Sequence, residues 1–180
     1  MTVKPAIETA RLWLRPWIDA DLAPFAAMGR DPRVMAHFPA LVDEAQSKAT
    51  AVRAMNHIGE HGFGFWAVER KSDRQFLGFC GLKTVSFPCP IAGEIEIGWR
   101  LAHAHWGQGY AHEAAQASLD HGFGVLGLAQ ITSFTVPDNT RSWGLMERLG
   151  MERRSDLDFD HPELPPGHRL RPHIVYVKTP

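Results

Sequence analysis

The chain has 180 residues, 44% of them apolar, which suits one domain with its own core and excludes a disordered tract. Nineteen Lys and Arg against 20 Asp and Glu leave a formal charge of −1, so the overall balance gives no ground for nucleic-acid or membrane binding, although a local basic site stays open. Cys80 and Cys89 form no CxxC pair, residues 1–5 lack an apolar signal stretch, and no apolar run reaches transmembrane length, so a soluble cytoplasmic protein is expected.

Residues 9–15, Thr-Ala-Arg-Leu-Trp-Leu-Arg, alternate as a first strand closed by Pro16. Asp19 caps a predicted helix to about Met28, with Gly29 as its stop. Asp43 opens a second helical pattern carrying Ala45, Ala49, Val52 and Met55, ending by residues 59–62. The period then changes to that of strands. Residues 63–69 and 76–85 read as a hairpin around the polar turn 71–74. Residues 94–101 form the cleanest strand, with Ile95, Ile97, Trp99 and Leu101 on one face and Glu94, Glu96, Gly98 and Arg100 on the other. A helix follows residues 106–111, with a stripe of Ala111, Ala114, Ala115, Ser118 and Leu119. Residues 130–136 read as a strand, 137–139 as a turn, and the next helix runs to Leu149 with Gly150 as its stop. Residues 153–159 and 170–178 are the last predicted strands, joined by a proline-rich loop over 160–167.

The central feature is strand, Gly107-Gln108-Gly109-Tyr110-Ala111, then helix. Two residues without side chains let another molecule approach the backbone, and a helix start offers unpaired N–H donors suited to phosphate. A tight turn without a ligand is the plainer reading of a lone GxG. A dinucleotide fingerprint is excluded because His112 stands where its third glycine belongs, and a P-loop because no Gly-Lys-Ser/Thr follows.

The order of motifs across nearly the whole chain resembles the GNAT superfamily of acyl-CoA N-acetyltransferases, and most closely its ribosomal-protein N-terminal acetyltransferase branch. The resemblance rests on residues 9–16, on Glu96-Ile97-Gly98-Trp99-Arg100-Leu101, and on Trp106-Gly107-Gln108-Gly109-Tyr110-Ala111 with Glu113-Ala114 following. Val136-Pro137-Asp138-Asn139, Ser142 and Glu147-Arg148-Leu149-Gly150-Met151 complete it. It implies acetyl-CoA as cosubstrate, with pyrophosphate on the 107–111 amides and pantetheine along the strand ending near Leu101. It also implies strands that splay after residues 94 and 130, with Asn139 near the pantetheine arm. Two positions depart from the wider superfamily: Trp106, usual in this branch, replaces Arg or Gln, and Met146 stands where many members carry a tyrosine acid.

The fold expected is a single α/β domain over residues 1–180, a mixed, mostly antiparallel sheet flanked by helices. The reaction implied is attack of a neutral primary amine on the acetyl carbonyl, which needs a base and a group that steadies the departing thiolate. Glu96 or Glu94 is the candidate base, against a plain solvated strand face. Ser142 is the candidate partner of the sulfur, on the argument that Asn139, Ser142 and Met146 share one helix face. His37 and Phe38, with the segment from Asp160, are the expected acceptor walls. The acceptor stays open between a protein N-terminal α-amine and a small-molecule amine or antibiotic, as does a different acyl donor such as succinyl-CoA. A non-catalytic acyl-CoA-binding module is the rival from another class. No metal is expected: His57 and His61 lack a third ligand, and Asp156, Asp158, Asp160 and His161 fit a solvated face. The six tryptophans have no basic face beside them for nucleic-acid stacking. Monomer and homodimer are equally open.

Overall fold

The computed structural model describes residues 4–180. It opens with two short paired strands, β1 (Ile7–Glu8) and β2 (Leu12–Arg15). The single strand expected over 9–15 is thus a turn followed by a strand. Thr9 causes this: its N–H donates to Leu12 O at 3.0 Å and its Oγ1 accepts the Leu12 N–H at 2.9 Å. A 3-10 turn (Asp19–Asp21) leads into α1 (Leu22–Gly29), and the expected Asp19 cap is not formed: Asp21 precedes α1 and its side chain reaches back to accept the Ile18 N–H at 2.9 Å. Asp21 is buried and also receives both terminal nitrogens of Arg15, at 2.7 and 2.8 Å, while Arg15 Nε donates to Glu69 at 2.5 Å. α2 (Glu44–His61) begins at Asp43 as expected. Asp43 and Gln46 exchange side-chain-to-backbone bonds of 2.8 and 2.9 Å, and Gly62 closes the helix in the left-handed region.

β3 (Phe65–Arg70) and β4 (Phe76–Thr84) form the expected hairpin, and β5 (Ile95–Leu101) pairs antiparallel with β4 along its whole length. Then come α3 (Tyr110–Gly124), β6 (Ile131–Thr135) and α4 (Thr140–Arg148). The strand expected over 153–159 is broken into β7 (Glu152–Arg153), a 3-10 turn (Ser155–Leu157) and β8 (Phe159–Asp160). Asp158 interrupts it by accepting the N–H of Val175, at 3.1 Å, in place of a strand carbonyl. Val175 belongs to the last strand, β9 (Pro172–Lys178).

The sheet order is β1-β2-β3-β4-β5-β6-β9-β7, with β8 paired to β9 off this path. Every pair is antiparallel except β5 and β6. α3 covers one face, where Leu12, Leu14, Trp66, Ile97 and Leu101 meet Ala114, Ala115 and Leu119. α1 and α2 cover the other, where Trp17, Phe25, Met28 and Ala51 meet Ala67 and Phe79. The mixed, mostly antiparallel α/β architecture is the one expected.

Candidate active site

β5 and β6 share a single register pair, Glu96 with Thr132. Beside it the side chains of Thr132 and Ser133 donate to Ile95 O at 3.2 Å and Ile97 O at 2.9 Å. Beyond Ile97 the two strands part. In a strand the N–H and C=O of one residue point to the same edge. Even-numbered residues of β5 turn theirs toward β4, as the Val85 N–H to Glu94 O bond at 2.9 Å shows, and odd-numbered ones toward β6. Leu101 O is taken by Trp106 Nε1 at 2.8 Å, so Trp99 presents its N–H and C=O to the wedge with no strand opposite. The wedge is a cleft of about 970 Å³.

At its end the chain turns through Gly107 (φ 73°) and Gly109 (φ 80°) into α3. The first helical bond runs from Glu113 N–H to Gly109 O, 3.0 Å, and no side chain caps the helix, so the N–H groups of residues 110–112 are its unpaired donors. The loop is buttressed from the β1–β2 turn: Arg11 donates to Gln108 O at 3.0 Å and to Glu113 at 2.6 Å, and Thr9 Oγ1 donates to Glu113 at 2.6 Å. This brace joins residues about a hundred positions apart and was not identified from sequence. An acidic residue in the first turn of α3 was its only local signal.

Leu101, Trp106, Gly107, Gly109, Tyr110, Ala111, Asn139, Ser142, His37, Phe38 and Glu96 all line the cleft. Gln108 is not among the lining residues; its side chain folds back to Ala104 O at 3.0 Å. Glu94 is also outside the lining, at the entrance to β5, where it accepts from Gln130 Nε2 at 2.9 Å. The 160–167 loop does not line the cleft; residues 33–38 supply that wall, fastened from behind by Arg169 donating to Ala36 O at 3.0 Å. The helix face inferred for α4 needs correction. Ser142 and Leu145 line the cleft, whereas Met146 is fully buried among Trp66, Leu119 and Tyr176. Among the described residues no cluster of three His, Cys, Asp or Glu could hold a metal, and Asp156, Asp158 and Asp160 are each paired with an arginine.

Glu96 is the single carboxylate of the lining, beside Arg33, Arg100, Arg141 and Arg148. Burial pushes its carboxyl up to about 7, against a weaker pull downward from Lys83, its register partner on β4. Burial likewise lowers His37 and His105, which favours their neutral forms. Arg141 lies over the Trp106 ring at 5.4 Å, at the glycine-turn end of the wedge. Open strand backbone, free helix amides and a cationic rim suit a long ligand with an amide-bearing arm and a polyanionic end. Gly109→Glu is expected to abolish such binding. It places a side chain at φ 80° with its Cβ 3.3 Å from Arg11 Nη2, and it adds a negative charge at the amides. Calorimetry with CoA on the folded variant checks this, and unchanged affinity would refute the loop's role.

A cleft wedged between two parallel strands, with a glycine turn at its foot, is the arrangement that the resemblance to acyl-CoA transferases implies. The family model for the acetyltransferase (GNAT) domain matches residues 11–152, and the chain belongs to that family. It is 35% identical over 156 residues to the uncharacterized protein YkkB of Bacillus subtilis, covering 84% of this chain and 87% of the relative. It is 30% identical over 178 residues to the FsC-acetyl coenzyme A-N(2)-transacetylase of Aspergillus fumigatus, covering 93% and 74%. The fold superposes on the crystal structure of an acetyltransferase from Agrobacterium tumefaciens with a TM-score of 0.78, at 26% identity and covering 100% and 97% of the two chains. The chain is therefore an acetyltransferase.

Proposed function

We propose that the whole chain works as one N-acetyltransferase domain that passes an acetyl group from acetyl-CoA to the α-amine of its acceptor. The observation that carries this reading is Glu96, a carboxyl held near neutrality at the point where β5 and β6 part. Acetyl-CoA supplies a thioester whose carbonyl carbon accepts the amine nitrogen, an N–C bond forming as the C–S bond breaks. Trp99 backbone aligns the pantetheine arm by strand-like pairing, and the amides of residues 110–112 with Arg141 and Arg148 hold the phosphates. Glu96, directly or through a water, takes the amine proton. A carboxylate of pKa about 7 serves an α-amine of about 7.7–8.0 better than a lysine amine of about 10.4.

A protein N-terminus and a small α-amine both fit this chemistry. The branch resemblance favours the first, and the Aspergillus relative, named for an N(2) transfer to a small molecule, favours the second. A polyamine is disfavoured, because the lining carries four arginines against one glutamate. A non-catalytic acyl-CoA-binding module has no use for a carboxyl of this basicity in the cleft. The two free thiols suit a reducing cytoplasm, and among the described residues no helix is long and apolar enough to cross a membrane.

Ser142 steadies the departing sulfur. It lines the cleft on the first turn of α4, and its hydroxyl makes no hydrogen bond to another described residue. Asn139, which precedes the helix, is held by its own bond to Thr135 Oγ1 at 3.0 Å. Serine is too weak an acid to protonate a thiolate outright, so it donates a hydrogen bond while water supplies the proton. Ser142→Ala is expected to lower kcat several-fold with acetyl-CoA affinity unchanged; normal turnover with chemistry rate-limiting would exclude the role. The test of the reading as a whole is thiol release from acetyl-CoA across a panel of peptides and small amines. Tight CoA binding without release for any amine would favour the binding module.

A further inference from the structure

Arg100 stands on the same face of β5 as Glu96, with Gly98 between them, and neither mechanism nor cofactor binding uses it. The face looks toward α1: a Cβ on Gly98 would lie 3.0 Å from the Phe65 ring, and the Arg100 guanidinium rests on Phe38 at 4.1 Å, Phe79 at 5.4 Å and Phe25 at 5.9 Å. Its Nε is sealed from solvent without a hydrogen-bond partner, and the guanidinium has no ion pair among the described residues. Arg15, which is buried, is by contrast satisfied by two carboxylates and a carbonyl. A half-buried guanidinium that rests on ring faces, with Nε sealed and no carboxylate beside it, leaves strong donors unused. Burial lowers Arg100 to about 10, still charged at neutral pH.

Arg100 and Phe38 line both the cleft and a side chamber of about 270 Å³, whose apolar side is Phe25, Met35, Leu41 and Val42 and whose polar side is Gln46, Ser47 and Thr50. Ser47, 1% exposed, lines the chamber with its Oγ unpartnered, and His37, beside Phe38 in the cleft wall, has an unpartnered Nδ1. Orphaned polar atoms in the walls of the cleft and of a mainly apolar chamber next to it are the features of a binding pocket.

We propose that the acceptor is a small α-amino acid whose carboxylate binds Arg100 and whose apolar side chain enters the chamber. The proposal rests on the acetyltransferase reading above and adds the acceptor's chemical class. Successive residues on one strand face are about 6.6 Å apart, so Glu96 and Arg100 lie about 13 Å apart along β5 at their Cα atoms, with both long side chains able to reach inward. The acceptor lies in the cleft that Glu96, Gly98 and Arg100 line, its amine toward Glu96 and its carboxylate toward the terminal nitrogens of Arg100. Planar bidentate pairing selects a carboxylate over an amide.

The test compares leucine and phenylalanine with leucinamide, phenylalaninamide, a leucine-initiated tripeptide amide and spermidine. Thiol release from acetyl-CoA and calorimetric binding to the CoA-loaded protein are both read. The expected result is that the two acids bind and turn over with kcat/KM at least tenfold above their amides, the tripeptide and spermidine. In Arg100→Gln the KM advantage of acids over amides disappears while CoA affinity stays unchanged; Arg100→Lys recovers part of it. Amides or the tripeptide accepted as well as the acids, acids that neither bind nor react, or an acid preference that survives in a folded Arg100→Gln each overturn the proposal. Failure of the transferase reading is distinct: acetyl-CoA itself then does not bind, or no amine of a wider panel releases thiol.

Discussion

Glu96→Gln is expected to lower kcat by about 10²- to 10⁴-fold at neutral pH, the usual contribution of a positioned base. The base must be unprotonated to act. With its carboxyl at about 7, wild-type kcat/KM should rise as pH increases through that value and then level. The Gln variant should lack this rise and narrow its deficit at high pH, where the amine loses its proton unaided. Stability supplies an independent sign. Burial raises the folded-state pKa of Glu96 above the unfolded one, so the carboxyl costs no stability at acid pH. As pH climbs from the ordinary carboxylate range toward 7, the unfolded chain ionises first and wild-type stability falls. The Gln variant has no such penalty, so its Tm should match wild type in acid and exceed it above pH 7. A variant with wild-type rates at every pH and no pH-dependent gain in Tm removes Glu96 from the mechanism. Glu94→Gln, outside the cleft and held by Gln130, is expected to leave the pH profile in place.

Asp21→Ala is expected to cost about 3–5 kcal/mol of folding stability, the penalty for leaving one member of a buried ion pair alone. The substitution removes two hydrogen bonds from Arg15 and the acceptor of the Ile18 N–H. Arg15 then keeps only Glu69 and the Pro16 carbonyl, and Glu69 is already engaged by Arg74 at 2.6 Å. Asp21→Asn keeps an acceptor for Ile18 and should lose less. Urea unfolding at pH 7 reads both, and a loss of about 1 kcal/mol or less, as for a surface pair, would refute the network's weight. The consequence reaches the site, because α1 carries Phe25, one of the rings beneath Arg100.

Much of this molecule was legible because its signals are local. Asp43 and Gln46 are three residues apart, so the start of α2 could be read directly, and Gly62 and Gly150 mark helix ends where a left-handed residue is needed. The alternation of residues 94–101 announced β5 and its two faces, and Gly107 with Gly109 announced the turn before α3. Errors came where a side chain replaced the backbone's usual partner: Thr9 closing a turn inside an alternating run, Asp21 reaching back to Ile18 across a 3-10 turn that starts at Asp19, and Asp158 interrupting a strand. None of these changes the hydrophobic period, so the period could not reveal them.

The sequence by itself determined the order of elements, the glycine turn and the two-faced strand that carries the candidate base. Only the tertiary structure set the two glutamates apart. Glu94 and Glu96 have the same period and charge, but Gln130 binds the one at the strand entrance, and the single β5–β6 pairing point leaves the other in the cleft with its carboxyl desolvated. It likewise turned Met146 into the core and placed Leu145 in the cleft wall, and it left Arg100 without a carboxylate while Arg15 received two. Desolvation and ion pairing depend on neighbours dozens of residues away, whereas helix caps and strand alternation are settled within a few residues.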